Sequence, residues 1–167
     1  MTSSAVQIFC LIFLSASPPD FYLSKYRKNL ACKSSSQIVE EAEKERLSPT
    51  LVMALISVES NWNRKAKSHA NACGLTQVIP KYTGKITRKY TCEQLWVPRN
   101  SIHAGIKILK YWIDYHNGDV ARGLCGYNAG YRCSGSKPNK YGMRYARKVL
   151  KIKKMLDEAY EKKSKQI

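Results

Sequence analysis

The stretch PTLVMALISVES, Pro49 to Ser60, decides how the rest of the chain is read. It is apolar almost all round, which is the mark of a helix buried on every side rather than of an amphipathic one. Ser48 ahead of it suits an N-cap, and Pro49 suits the first helical position, where a missing N–H costs nothing. One residue does not belong. Glu59 stands in the last turn with Leu55, Ile56, Val58 and Trp62 for neighbours. A carboxyl group withdrawn from water favours its neutral form, and such a site lifts glutamic acid from ~4.3 to roughly 6, where it can donate a proton near neutrality. The plainer alternative is a helix-end glutamate that points into solvent.

On the N-terminal side, IVEEAEKERL reads as a helix beginning near Gln37, with Ser34 and Gln37 at capping-box spacing. On the C-terminal side, residues 61–98 are rich in Asn, Gly, Pro, Thr and Lys and read as loops and short turns, with Leu75, Val78 and Ile79 turned inward. Ile102, Ile106, Leu109, Ile113 and His116 follow a helical stripe over about 100–116, which Asn117-Gly118 stops. Asp119 caps a short helix reaching Tyr127, and 130–139 is a loop. A last helix over about 141–162 sets Tyr145, Val149, Ile152, Leu156 and Tyr160 on one face. There is no internal repeat and no strand-like run. The expectation is a mainly α, single domain with an irregular stretch lining a cleft.

Residues 5–16 form an apolar run too short for a comfortable membrane span and suited to a signal-peptide core. No Lys or Arg precedes it, and Pro18 follows the best cleavage point near Ser17. The division expected is 1–17 signal-like or anchoring, with N-terminal membrane contact, 18–35 linker, and 36–162 domain. Lys and Arg number 29 against 12 acids, giving a net charge of +17. That field draws the chain to polyanions. No basic helix-turn-helix, paired CxxC or RNP-like strand is present, so nucleic acid is not the expected partner. The six cysteines lack metal-like spacing, so no metal is expected. Cys125 and Cys133 bracket Tyr127-Asn128 among glycines and are expected to pair, with Cys73 and Cys92 a weaker candidate that leaves Cys32 odd. Free thiols in a reducing compartment are the alternative.

Glu59-Ser60-x-Trp62, Ala66-x-Ser68, Ala72-x-Gly74-Leu75-x-Gln77, Pro80-x-x-Thr83, Asn100-x-x-x-x-Gly105, Tyr127-Asn128-Ala129-Gly130 and Tyr145-x-x-x-Val149 follow one another in order. Together they resemble the signature of the family 1 lytic transglycosylases, whose soluble-lytic-transglycosylase domain is related in shape to goose-type lysozyme. The match runs from about Ile38 to Val149; Thr76 stands where Met is common, and Cys73 precedes the glycine. The resemblance implies a lysozyme-like fold with a glycan-binding cleft. It makes Glu59 the single catalytic acid, Ser68 the group that orients it, and Gln77 and Ile79 glycan contacts. Tyr127 would present its ring and hydroxyl to the cleft, Asn128 would bond acetamido groups or hold the loop, and Tyr145 would approach Glu59 from the last helix. Core packing is the rival role for both tyrosines, and a loop-bridging amide for Gln77.

The implied activity cleaves the MurNAc–GlcNAc β-1,4 bond of peptidoglycan to 1,6-anhydromuramoyl ends, without metal or cofactor. The expected form is a monomer that is exported, periplasmic or extracellular, or borne by a phage as lysin or virion enzyme. Two other readings stay open: a hydrolytic muramidase on the same fold, and a non-catalytic module that binds cell wall or nucleic acid.

Overall fold

The computed structural model describes residues 2–15 and 23–166, and every regular element among them is helical. Eight α-helices follow in order: α1 (Thr2–Ser15), α2 (Lys25–Lys44), α3 (Pro49–Ser60), α4 (Pro80–Thr83), α5 (Cys92–Leu95), α6 (Pro98–Tyr115), α7 (Val120–Ala129) and α8 (Lys140–Ser164). A 3-10 turn, Gly130–Cys133, leads out of α7. The mainly α expectation holds among the described residues.

α3 is the axis of the core. Every residue from Thr50 to Ser57 is buried, and α2 and α8 pack against it. A helix so enclosed offers no polar face, which is why its sequence shows no amphipathic stripe. α6 and α8 do carry stripes: Ile102, Ile106, Leu109 and Ile113 on the first, and Val149, Ile152 and Leu156 on the second, all enter the same core. One helix start is the one the sequence announces, Asp119, and a second, Asn139, appears only in the structure. Asp119 accepts from the Arg122 N–H at α7, and Asn139 accepts from Gly142 at α8. Ser48 does precede α3, but its hydroxyl meets Thr50 Oγ1 rather than a backbone N–H.

The N-terminal third departs from expectation. The sequence reading makes 18–35 a linker and starts a helix near Gln37; instead α2 begins at Lys25, and Ser34 and Ser35 lie buried inside it. Ser35 donates to the Ala31 carbonyl, a local bond that lets a hydroxyl sit within a helix. The tertiary partner explains the extra turns. α1 lies along α2 and α8, with Ile8, Phe9, Ile12 and Phe13 in the main core. Phe9 meets Tyr160 and Phe13 meets Trp62 edge-on, at centroid distances of 4.8 and 5.1 Å. Cys10 and Cys32 are bonded, so Cys32 is not the odd cysteine. Cys73–Cys92 and Cys125–Cys133 are the other two disulfides. The cleavage point near Ser17 and the Pro18 beside it lie outside the described residues. Among those described, no helix is long and apolar enough to cross a membrane.

Candidate active site

The site is assembled where α3 ends. Its last turn is followed by Asn61 and Trp62, both left-handed, at φ 48° and 62°. A bulky residue there costs about 1–3 kcal/mol and persists only where its surroundings insist. Here they do: Trp62 is fully buried and its indole N–H donates to Ser57 Oγ at 3.0 Å. Ser60 ties the same turn to the next loop by donating to the Leu75 carbonyl at 2.8 Å. Glu59 therefore lies between Ser57 and Ser60, both tied by hydrogen bonds.

Its carboxyl group is desolvated, and its pKa is pushed up to about 7. Burial is the dominant cause. The Tyr145 hydroxyl, which donates to Glu59 Oε1 at 2.6 Å, and the positive charge of Lys148 both oppose it. Both come from α8, which packs against α3; Tyr145 is half-buried and Lys148 exposed. No second carboxylate of the described residues bonds to Glu59. Asp114 pairs with Lys110 and Asp119 caps α7, while Glu93 lies exposed in α5.

The loop after α3 makes the opposite wall. Cys73 bridges to both Lys67 and Val78, and Gly74 turns at φ +79°. A Cβ on Gly74 would collide with the Leu95 carbonyl and Ser101 Oγ, so only glycine lets the loop lie on α5 and α6. Thr76 is anchored through Oγ1 to the Ser101 carbonyl at 2.7 Å and lies against Gly105. The carbonyl of Thr76 in turn accepts from the Tyr127 hydroxyl at 2.7 Å. Burial raises the pKa of Tyr127 and Tyr145 well above 10, and the negative charge of Glu59 adds to it; both stay neutral donors.

The expected residues are thus not all brought together in one way. Tyr145 reaches Glu59 directly, whereas Tyr127 is tied to the loop backbone while still feeling the Glu59 charge. The Ser68 hydroxyl accepts from the Ala72 N–H at 3.1 Å and closes a turn instead of touching Glu59. Gln77, left-handed at φ 49°, donates its amide N–H to the Gly74 carbonyl at 2.9 Å. Ile79 is half-buried at the start of α4, and Asn128 is exposed on α7. Three residues escaped the sequence reading: Ser57, Lys148 and Ser101. Ser60 stands in the Glu59-Ser60-x-Trp62 motif, but its bond to the Leu75 carbonyl had no signal there. No cluster of His, Cys, Asp or Glu able to hold a metal exists among the described residues. A cavity of about 450 Å³ between α2 and α6 is lined by none of the site residues.

The transglycosylase SLT domain matches residues 36–150. The membrane-bound lytic murein transglycosylase C of Haemophilus influenzae (strain PittEE) is 35% identical over 83 residues, covering 46% of this chain and 23% of that protein. An inactive mutant of the lytic transglycosylase Slt from Pseudomonas aeruginosa superposes with a TM-score of 0.65 at 21% identity, over 84% of this chain and 28% of that one. The chain therefore spans about a quarter of the length of either relative.

Proposed function

Since this chain belongs to the transglycosylase SLT domain family, we propose that it cleaves the MurNAc–GlcNAc β-1,4 bond of peptidoglycan by lytic transglycosylation, with Glu59 as acid and then base. The observation that carries the reading is a desolvated carboxyl group poised at about 7 with no carboxylate partner. A proton donor works best when its pKa lies near the working pH. Glycosidases of the two-carboxylate kind set the second acid at about 5–5.5 Å or about 6.5–9.5 Å; here Asp114 pairs with Lys110 and Asp119 caps α7, which supports a nucleophile supplied by the substrate.

Glu59 protonates the glycosidic oxygen as that bond breaks, and the muramoyl acetamido oxygen closes on the anomeric carbon. The carboxylate left behind accepts the hydrogen bond from Tyr145. It then takes the proton from the C6 hydroxyl, whose oxygen displaces the acetamido oxygen to give the 1,6-anhydro ring. Atoms balance without water. In this reading Ser68 and Gln77 shape the loop that faces the glycan, Ile79 and Asn128 touch the strand, and Tyr127 fixes one wall. Three disulfides favour an oxidising compartment, in keeping with an exported protein, a secretion-associated enzyme or a phage lysin. The +17 charge supports attraction to the anionic wall.

The test is mass spectrometry of the fragments released from purified sacculi. Anhydro ends, one water lighter than reducing ends, are expected. Reducing ends would move the assignment to a muramidase, and no release to a binding module.

A further inference from the structure

Aromatic side chains that the proposed chemistry leaves unused gather at the C-terminal end of α6. Tyr111, Trp112 and Tyr115 meet Tyr131, which comes from the 3-10 turn after α7. Trp112 is the floor, nearly buried beneath α7, where Gly126 leaves room for the indole. Tyr111 and Tyr115 lie almost parallel, 28° apart with centroids at 6.3 Å. Tyr131 stands at 74° to Tyr115 and 67° to Trp112, with centroids at 5.4 and 5.0 Å. Tyr111 and Tyr131 share a hydroxyl–hydroxyl bond of 2.9 Å, and the Ser134 hydroxyl donates to the Tyr115 oxygen at 3.4 Å.

The rings are thus fixed by one another, yet Tyr131 is 63% and Tyr115 45% exposed. Singly exposed tyrosines are ordinary; a rigid contiguous set facing water marks a binding surface. We infer that this cluster is a stacking platform for sugar rings, a second grip on the glycan strand outside the Glu59 site. The inference rests on the glycan substrate proposed above. A β-1,4-linked pyranose shows the protein a face of axial C–H bonds, slightly positive, which suits the negative face of an aromatic ring. Its rim of hydroxyl and acetamido groups suits phenol oxygens that both donate and accept. Tyrosine offers that contact at small cost in side-chain entropy. The composition favours sugar over a protein partner, because the exposed rings, Tyr115 and Tyr131, both carry hydroxyls and the ring packed on Tyr115, His116, is itself polar.

Continuity points the same way. Tyr131 follows directly on Tyr127-Asn128-Ala129-Gly130, inside the loop closed by Cys125–Cys133. Exposed Arg132 beside it suits the carboxylates of muramoyl groups and stem peptides.

Co-sedimentation of the full chain with purified sacculi tests this, comparing the Tyr115→Leu/Tyr131→Leu pair with the Tyr115→Phe/Tyr131→Phe pair. Leucine keeps apolar bulk without a ring face; phenylalanine keeps the ring. The Leu pair is expected to weaken binding roughly tenfold and the Phe pair no more than about threefold. Chitohexaose should also perturb the Tyr115 and Tyr131 ring signals in the NMR spectrum. Wild-type binding by the Leu pair with both rings unperturbed overturns the platform, as does equal weakening by Leu and Phe. Fragment release from sacculi is read separately in the same variants. Loss of binding with a wild type that releases nothing would sink the cleavage reading and keep the platform.

Discussion

α2 and α3 both carry glutamates, and the two helices treat the same chemical group in opposite ways. On α2, Glu40 is solvated and accepts from Lys44 Nζ at 2.6 Å, and this bond and charge draw its pKa down. On α3, Glu59 is desolvated and pushed up to about 7, although a tyrosine donor and a lysine charge pull the other way. Acid strength here is assigned by packing, not by residue type. Proximity to a lysine is common to both; withdrawal from water belongs to Glu59, and it wins.

The largest expected effect breaks the comparison by removing the buried acid. Glu59→Gln keeps the shape but cannot move a proton, so fragment release from sacculi should fall by ~10²–10⁴. Retained release would show that the acid lies elsewhere.

Removing its donor comes next. Tyr145→Phe deletes one hydrogen bond that favours the carboxylate, so the Glu59 pKa should rise further. The loss of activity at alkaline pH should then begin at higher pH than in the wild type. The rate near neutrality should fall about tenfold, the scale of a hydrogen bond to a charged group. An unshifted pH profile would mean that Tyr145 only packs.

A third measurement reads stability. The folded pKa of about 7 lies above the ordinary 4.5, so the native state holds the proton more tightly. The associated stability is fully present below 4.5 and is lost as pH rises through about 7. For 2.5 units (7 minus 4.5) the change is on the order of 3 kcal/mol. Denaturant titrations should show wild type losing ground against Glu59→Gln between pH 4.5 and 7, with the difference flat above. Parallel curves across that window would contradict the desolvation.

The smallest effect sharpens the contrast from the other side. Glu40→Gln removes an exposed ion pair, of a kind often worth nothing measurable. Activity and melting temperature should match wild type at physiological salt, and a clear loss in either would give α2 a role in the site.

Glu59, Tyr145 and the Gly74 turn were legible because each breaks or punctuates a local pattern: a charge after an apolar run, a ring on a helical stripe, a glycine before a buried leucine. Ser68 was legible as a residue but not in its bonds, since whether a hydroxyl turns to Ala72 or to Glu59 depends on loop closure. Thr76 looked like a mere departure. Its bond to Ser101, and Tyr127's bond to its carbonyl, join residues far apart in the chain, and no periodicity records such a pair.

The sequence by itself determined the buried helix α3, the stripes of α6 and α8, and the cap at Asp119. These rest on side chains a turn or so apart, and their physics is local. Only the tertiary structure decided that α1 lies in the core, that α2 starts at Lys25 and that Cys32 finds Cys10. A weakly periodic segment such as 25–36 takes its helical state from what covers it, and the covering helix comes from another part of the chain. The aromatic cluster follows the same rule. Tyr111 and Tyr115 share a turn of α6, but Tyr131 joins them because Gly126 has no Cβ to hold α7 away from Trp112.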